Sequence, residues 1–311
     1  MRFRWGILAL LLVIQACRGP SPGAQVRAGD LEITIDERGW ITSLAHRQTG
    51  AEYLPPGHEV PLLTLRVDGQ DRMPGEAGPI AEDGTLSLAY SGELLARVRI
   101  TEKDTHATFE LVAVDGVDAE SEGAAAADPA TDPAADAPSV DLAIWGPYPT
   151  TISETIGETV GVVRGETFAM GLQALNPRTL GGYPWNENDA MPQLDIFESG
   201  DYSDLSEEGK RYVLYRVEAA KPDSFGSTLQ AYTRNRGRER VIPNWGHERY
   251  TAPAFEDGGI IGSKIALFGS PVEEALATVG AIEVAEGLPH PTIDGVWGKE
   301  ARSASAAYVI M

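Results

Sequence analysis

Leu31-Glu32-Ile33-Thr34-Ile35 alternates apolar and polar side chains, and Trp40-Ile41-Thr42-Ser43-Leu44 resumes the run after the turn-forming Asp36-Glu37-Arg38-Gly39. A period of two sends successive side chains to opposite faces of an extended strand, so this pair predicts a half-buried hairpin. The signal recurs at 61–67, 85–90, 94–101 and 106–114, each run closed by Gly, Asp or Pro. The second half repeats it at 140–145, in a hairpin 159–164 and 168–175 turning at Gly165-Glu166, and at 211–219 and 227–233. Residues 259–268 are apolar on both faces and read as a deeply buried strand. With 34 Gly and 21 Pro in 311 residues to make the turns, the chain predicts a mainly β fold, a large antiparallel β-sandwich over 29–285.

One helix stands out against this pattern. Val272, Leu276, Val279 and Ile282 recur at three- and four-residue spacing and predict a helix over 271–285. Ser270 and Glu273 form a capping-box pattern around Pro271, and Gly287 supplies an end signal. Residues 115–138 break every period. They hold nine alanines, three prolines and seven acids with no Lys or Arg, a composition that predicts a disordered insertion. Lengthening a loop costs little entropy, so the flanking strands 109–114 and 140–145 are expected to be adjacent still.

The N-terminus carries Arg2 and Arg4, a short apolar run from Gly6 to Ile14, then Ala16 and the only cysteine, Cys17. That is the layout of a secretory signal, too short to span a bilayer. It predicts a signal peptide at 1–16, and the cysteine directly after Ile14-Gln15-Ala16 resembles the lipobox of bacterial lipoproteins, which implies lipidation at Cys17, a tether at 17–28 and a location at the bacterial cell envelope. One cysteine excludes an intrachain disulfide and a cysteine-based zinc site. The formal charge is -21, and loss of residues 1–16 removes Arg2 and Arg4 and leaves -23. That balance excludes nucleic acid as a partner and puts any membrane attachment on the acyl chains.

No phosphate loop, nucleophile elbow or helical metal-ligand pair is present, and the reading assigns no catalytic residue, metal or cofactor. Gly258-Gly259-Ile260-Ile261-Gly262-Ser263-Lys264 has the wrong spacing for a phosphate loop and overlaps a strand. Three aromatic and polar clusters remain. The first is a loop around Tyr183, Trp185, Asn186, Glu187 and Asp189, and the second is Trp245 with His247 and Arg249. The third is His290, Asp294 and Trp297, with His290 held between two prolines. Rings that stack on the C–H faces of a sugar, beside amides and carboxylates that take its hydroxyls, suit carbohydrate. A loop plugging the sandwich edge, an exposed strand and a stiff connector are the structural readings of the same three clusters.

Residues 31–67 and 259–311 resemble the opening strands, and the closing strand and helix, of galactose-mutarotase-like supersandwich domains. These domains stand before the catalytic barrel in bacterial glycoside hydrolases. The resemblance implies a non-catalytic, lipid-anchored N-terminal domain, with the bond-breaking carboxylates in a C-terminal barrel in cis. Residues 286–311, ending in the apolar Ala306-Ala307-Tyr308-Val309-Ile310-Met311, are then the connector to that barrel, and carbohydrate and membrane are the expected partners. A stand-alone carbohydrate-binding lipoprotein and a mutarotase-like sugar epimerase are the competing readings.

Overall fold

The computed structural model describes residues 22–116, 140–156, 160–182, 219–244 and 247–302. In chain order the first ten strands are β1 (Pro22–Ala28), β2 (Leu31–Asp36), β3 (Trp40–His46), β4 (Val60–Pro61), β5 (Thr64–Val67), β6 (Gln70–Arg72), β7 (Glu76–Ala77), β8 (Thr85–Ala89), β9 (Leu95–Glu102) and β10 (Ala107–Asp115). They are followed by β11 (Val140–Thr150), β12 (Glu154–Ile156), β13 (Val160–Arg164), β14 (Phe168–Ala174), β15 (Thr179–Gly181), β16 (Ala220–Asp223), β17 (Gly226–Arg234), β18 (Arg240–Asn244), β19 (His247–Ala252) and β20 (Lys264–Pro271). A 3-10 turn (Val272–Glu274) leads into helix α1 (Ala275–Ala285), and β21 (Thr292–Ile293) and β22 (Val296–Trp297) close the described chain.

These strands build an antiparallel β-sandwich. An eight-stranded sheet runs β12-β13-β14-β20-β10-β9-β8-β7. A second sheet runs β15-β17-β11-β5-β6 with β16 also on β17, and β1 to β4 form a third, in chain order. The pairings between these strands are antiparallel. All three sheets feed one apolar core that includes Ile33, Leu65, Val98, Phe109, Trp145 and Leu229. The period-two reading holds residue by residue. Ala96, Val98 and Ile100 are buried on β9, while Arg97, Arg99 and Thr101 are exposed between them. Each fully buried large apolar side chain contributes about 1.5–3 kcal/mol.

β20 is apolar on both faces because it is covered on both. Ile265 and Leu267 enter the sandwich core, whereas Ala266 and Phe268 face a second cluster formed with Val162, Ala169, Val279, Ile282 and Trp297. Helix α1 therefore lies on the outer face of the eight-stranded sheet. Phe268 needs room there. A Cβ on Gly171, its neighbour across the ladder, would sit 2.2 Å from the Phe268 ring, so only glycine fits at that position.

Polar groups trapped between the sheets are joined to one another. Trp145 Nε1 donates to Ser263 Oγ at 2.8 Å, Ser263 meets Thr233 at 2.7 Å, and Thr233 donates to Thr179 at 3.0 Å. Thr179 in turn donates to Asn176 Oδ1 at 3.0 Å. All nine residues of β17 are buried; of its polar side chains Thr233 belongs to this chain of hydroxyls, and Ser227 Oγ donates to the Ile152 carbonyl at 2.5 Å.

Four boundaries differ from the sequence reading. Residues 22–28 are strand rather than tether: Ala24, Val26 and Ala28 point into the core, and β1 pairs with β2 from Pro22↔Asp36 to Ala28↔Leu31. Their period of two is carried by small residues, which makes it easy to pass over. Strands β10 and β11 are not neighbours. β10 pairs with β9 and β20, and β11 pairs with β5 and β17 in the other layer, so residues 116–139 connect the two sheets. The low entropic cost of a long loop permits either arrangement. Ser270 and Pro271 do not open the helix. They pair with Ala169 and Phe168 in β20 and are held extended without a side-chain cap, so the helical run opens as a 3-10 turn at Val272 and becomes α at Ala275. Beyond the helix, 287–302 fold back on the protein as a small hairpin rather than leading away as a connector. Residues 211–218 of the strand expected at 211–219 fall outside the described residues, as does the acidic insertion beyond Gly116. No helix among the described residues is long and apolar enough to cross a membrane.

Val26 separates strand from tether experimentally. Val26→Ala is expected to lower stability by about 1–3 kcal/mol, read as a lower urea midpoint, because it removes two methyl groups from a fully buried site. A residue in a solvated tether would leave the midpoint unchanged.

Candidate functional site

Helix α1 ends in a Schellman motif, and this end carries the densest chemistry among the described residues. Gly287 takes φ +68°, its N–H donates to Val284 at 3.3 Å, and the N–H of Leu288 reaches Glu283 at 2.8 Å. The chain then reverses through Asp294-Gly295, both at positive φ, which is the two-residue type I′ turn that joins β21 to β22. The reversal returns Trp297 to the helix, where it is 7% exposed. A Cβ on Gly280 would lie 3.2 Å from the Trp297 ring and 3.5 Å from His290, so the bare backbone at this position is what seats the aromatic pair.

Two carboxylates three residues apart project from this last helical stretch, as an i, i+3 spacing requires. Glu283 is buried, and His290 Nδ1 and Lys299 Nζ meet its two oxygens at 3.0 and 2.5 Å. Glu286 is met by Lys103 and by His106 Nε2 (3.0 Å) on one oxygen and by Lys264 Nζ (2.9 Å) on the other. His106 is fully buried, and its Nδ1 lies 2.9 Å from the Thr105 hydroxyl. A neutral ring donating from Nε2 and accepting at Nδ1 satisfies both contacts. Burial lowers His106 from the ordinary imidazole range, and the Glu286 carboxylate offsets only part of that. Burial by itself raises Glu286, but hydrogen bonds from Lys103, His106 and Lys264 outweigh it and bring the carboxyl down to about 2. Both oxygens of each carboxylate are occupied, so the pair acts as a clamp between helix, sheet and hairpin.

The clamp stands between two shallow grooves. One, of about 560 Å³, runs between α1 and β13 and is lined by Ile156, Val160, Val162, Leu276 and Val279, with Arg164 and Lys299 beside them. The other, of about 510 Å³, lies over Ala277, Ala281, Val284 and Ala285 and is bounded by His290 and Trp297. Of the exposed large apolar residues, Ile156, Leu276, Val284, Ile293 and Val296 all belong to these elements.

The structure brings His290 and Trp297 of the expected sites together, with rings stacked at 4.9 Å and 13°. Lys299 lies 5.0 Å above the same indole. With a ring on one side and an ammonium against it, Trp297 is packing material here rather than an open platform for a sugar. Asp294 sits exposed at the turn tip and touches neither. His247 and Arg249 lie two positions apart on β19, which pairs with β18. Cys17, Tyr183, Trp185, Asn186, Glu187, Asp189 and Trp245 lie outside the described residues. Sequence reasoning passed over Glu283, Glu286, Lys103, His106, Lys264 and Lys299, although the i, i+3 acids on the helix were a usable sign. No group of three or more His, Cys, Asp or Glu among the described residues is placed to hold a metal ion. No protein-family model matches this chain, and no curated protein matches it.

The clamp makes stability depend on acid. Folding lowers the Glu286 carboxyl, so its stabilisation is complete above the ordinary carboxylate range and is lost as pH falls toward about 2. The lowered His106 acts with the same sign from the imidazole range downward. Glu286→Gln is expected to cost about 1–3 kcal/mol at neutral pH, because it removes the carboxylate that partly exposed Lys103 and Lys264 and buried His106 all meet. The gap in urea midpoint between parent and variant is expected to close as pH falls from about 5 to about 2. A gap that is constant across that window contradicts the assignment.

Proposed function

We propose that this chain is the non-catalytic, envelope-anchored β-sandwich of a glycoside-hydrolase-like protein. In this reading it supports saccharide binding and carries a neighbouring catalytic module on its helix–hairpin face. The observation that carries the proposal is the apolar surface of α1 and the β21–β22 hairpin. Leu276 (47% exposed), Val284 (64%), Ile293 (47%) and Val296 (46%) stand in water there, beside the last described residues of the chain. Clustered exposed apolar side chains mark an interaction surface more often than scattered ones do, and these four all lie on the helix and the hairpin that follows it. The supersandwich-like layout of strands and terminal helix supports the glycosidase setting, and acylation of Cys17 supplies the anchor. Trp185 and Trp245, with the amide and acid groups around them, are the proposed sugar contacts.

Two measurements test it. Titration with neutral oligosaccharides is expected to change the tryptophan fluorescence of the chain, and Trp185→Ala with Trp245→Ala is expected to abolish the change. No response to any oligosaccharide rejects the saccharide contacts. The coding sequence is expected to continue past Met311 into a barrel of alternating strands and helices. An immediate stop codon rejects the role as a carrier of a catalytic module.

A further inference from the structure

Five Asp-Gly pairs occur in the chain, at Asp68, Asp83, Asp115, Asp257 and Asp294. In each, a side-chain carboxyl stands next to a main-chain amide that no Cβ shields. The amide nitrogen can close on that carboxyl to give a succinimide, provided the N–H is free and no other group holds the carboxyl. The fold withholds one of these conditions at four of the pairs. Gly84 N donates to the Ala81 carbonyl at 2.9 Å, and Gly258 N to the Phe255 carbonyl at 3.0 Å. Both oxygens of Asp115 are met by Arg97 Nη2, at 3.2 and 2.9 Å. Gly69 N donates to Asp141 Oδ2 at 3.0 Å.

Asp294-Gly295 meets both conditions. The two residues are exposed at the tip of the β21–β22 turn, and a Cβ on Gly295 would have nothing within 4 Å. Among the described residues no hydrogen bond or ion pair engages the Asp294 carboxylate or the Gly295 N–H. Asp68-Gly69 is its twin in backbone. It too has both residues at positive φ, and it too makes a two-residue turn, between β5 and β6 (Val67↔Gln70). Asp141 holds the amide of one turn, and the amide of the other stands open.

We propose that Asp294 is a modification site, where the chain isomerises to isoaspartate, and that the change loosens the clamp on Glu283. The Gly295 nitrogen attacks Asp294 Cγ. A C–N bond forms there, and the amide proton leaves with the carboxyl hydroxyl as water. Solvent water then adds to the former main-chain carbonyl of Asp294, and the C–N bond at that carbon breaks. The chain now runs through the side chain, and the old main-chain carbonyl is a free carboxylate. One water leaves and one returns, so the composition is unchanged. The product puts one more methylene into the main chain of a turn built for two residues. β21 and β22 hold only the pairs Thr292↔Trp297 and Ile293↔Val296, so both lose register together. Trp297 is then drawn from its seat at Gly280, and Lys299 from the buried carboxylate of Glu283. Loss of a partner from a buried charge is costly, which carries the effect from the exposed tip to the interior.

Ageing the full chain at neutral pH, below its unfolding temperature, tests the site. Isoaspartate is read by peptide mapping, where it shifts retention at constant mass, and by methyl transfer from a labelled donor with an isoaspartyl carboxyl methyltransferase. It is expected to accumulate at 294 several-fold faster than at 68, 83, 115 or 257. The aged fraction is expected to show a lower urea midpoint and faster amide exchange over 275–302 than fresh protein. Asp294→Gly keeps a residue suited to positive φ but has no carboxyl, and is expected to hold both readouts at their fresh values through the same ageing. Absence of isoaspartate at 294, or equally fast accumulation at 68, overturns the site. Isoaspartate at 294 with unchanged midpoint and exchange overturns its link to the clamp, as does an equal fall in the aged Asp294→Gly chain.

Discussion

A carboxylate removed from water must find its counter-charges within the protein, and the outer layer of this fold is organised around two of them. Glu283 and Glu286 sit on the last stretch of α1. Their partners come from the β9–β10 turn (Lys103, His106), from the first residue of β20 (Lys264) and from the returning chain (His290, Lys299). None of these elements can shift without leaving a buried charge exposed to an apolar surface. The register of the helix on the sheet, the seat of Trp297 on Gly280 and the walls of both grooves follow from that requirement.

The same layer explains why the eight-stranded sheet tolerates an unusual amount of small and apolar sequence. β14 offers Ala169 and Gly171 where β20 offers Ala266 and Phe268, so a single aromatic ring fills the space that the small residues leave. On the inner side the sandwich is closed by the hydroxyls of Ser263, Thr233 and Thr179, which satisfy Trp145 and one another. Packing holds both contacts, and on the inner side these hydrogen bonds join the polar groups that the apolar core encloses.

Most strands were legible in the sequence because alternation is a local property. Leu31, Ile33 and Ile35, or Ala96, Val98 and Ile100, declare a face without reference to the rest of the chain. β1 was missed because alanine holds two of its three buried positions, Ala24 and Ala28 beside Val26. The helix was legible in its stripe to within a residue of its start at Val272, but a ladder to Phe168 and Ala169 takes the place of the cap expected at Ser270. The Asp294-Gly295 turn was a readable hairpin sign between very short strands. The clamp was not readable in full. Lys103 and Glu286 lie 183 positions apart, and only the fold brings them together. Of the expected sugar-contact residues, His290 and Trp297 came together, but as a packed pair tied to Glu283.

The early start of β1 has a consequence for the chain at a lipid surface. Four residues separate Cys17 from Pro22, so a body hung from an acylated thiol has a leash of at most about 18 Å. That is little more than two screening lengths at physiological ionic strength, about 8 Å each. Under the proposed anchoring at Cys17, a net charge of -23 carried so near anionic head groups would be pushed away from them, holding the sandwich off the bilayer instead of letting it lie against it.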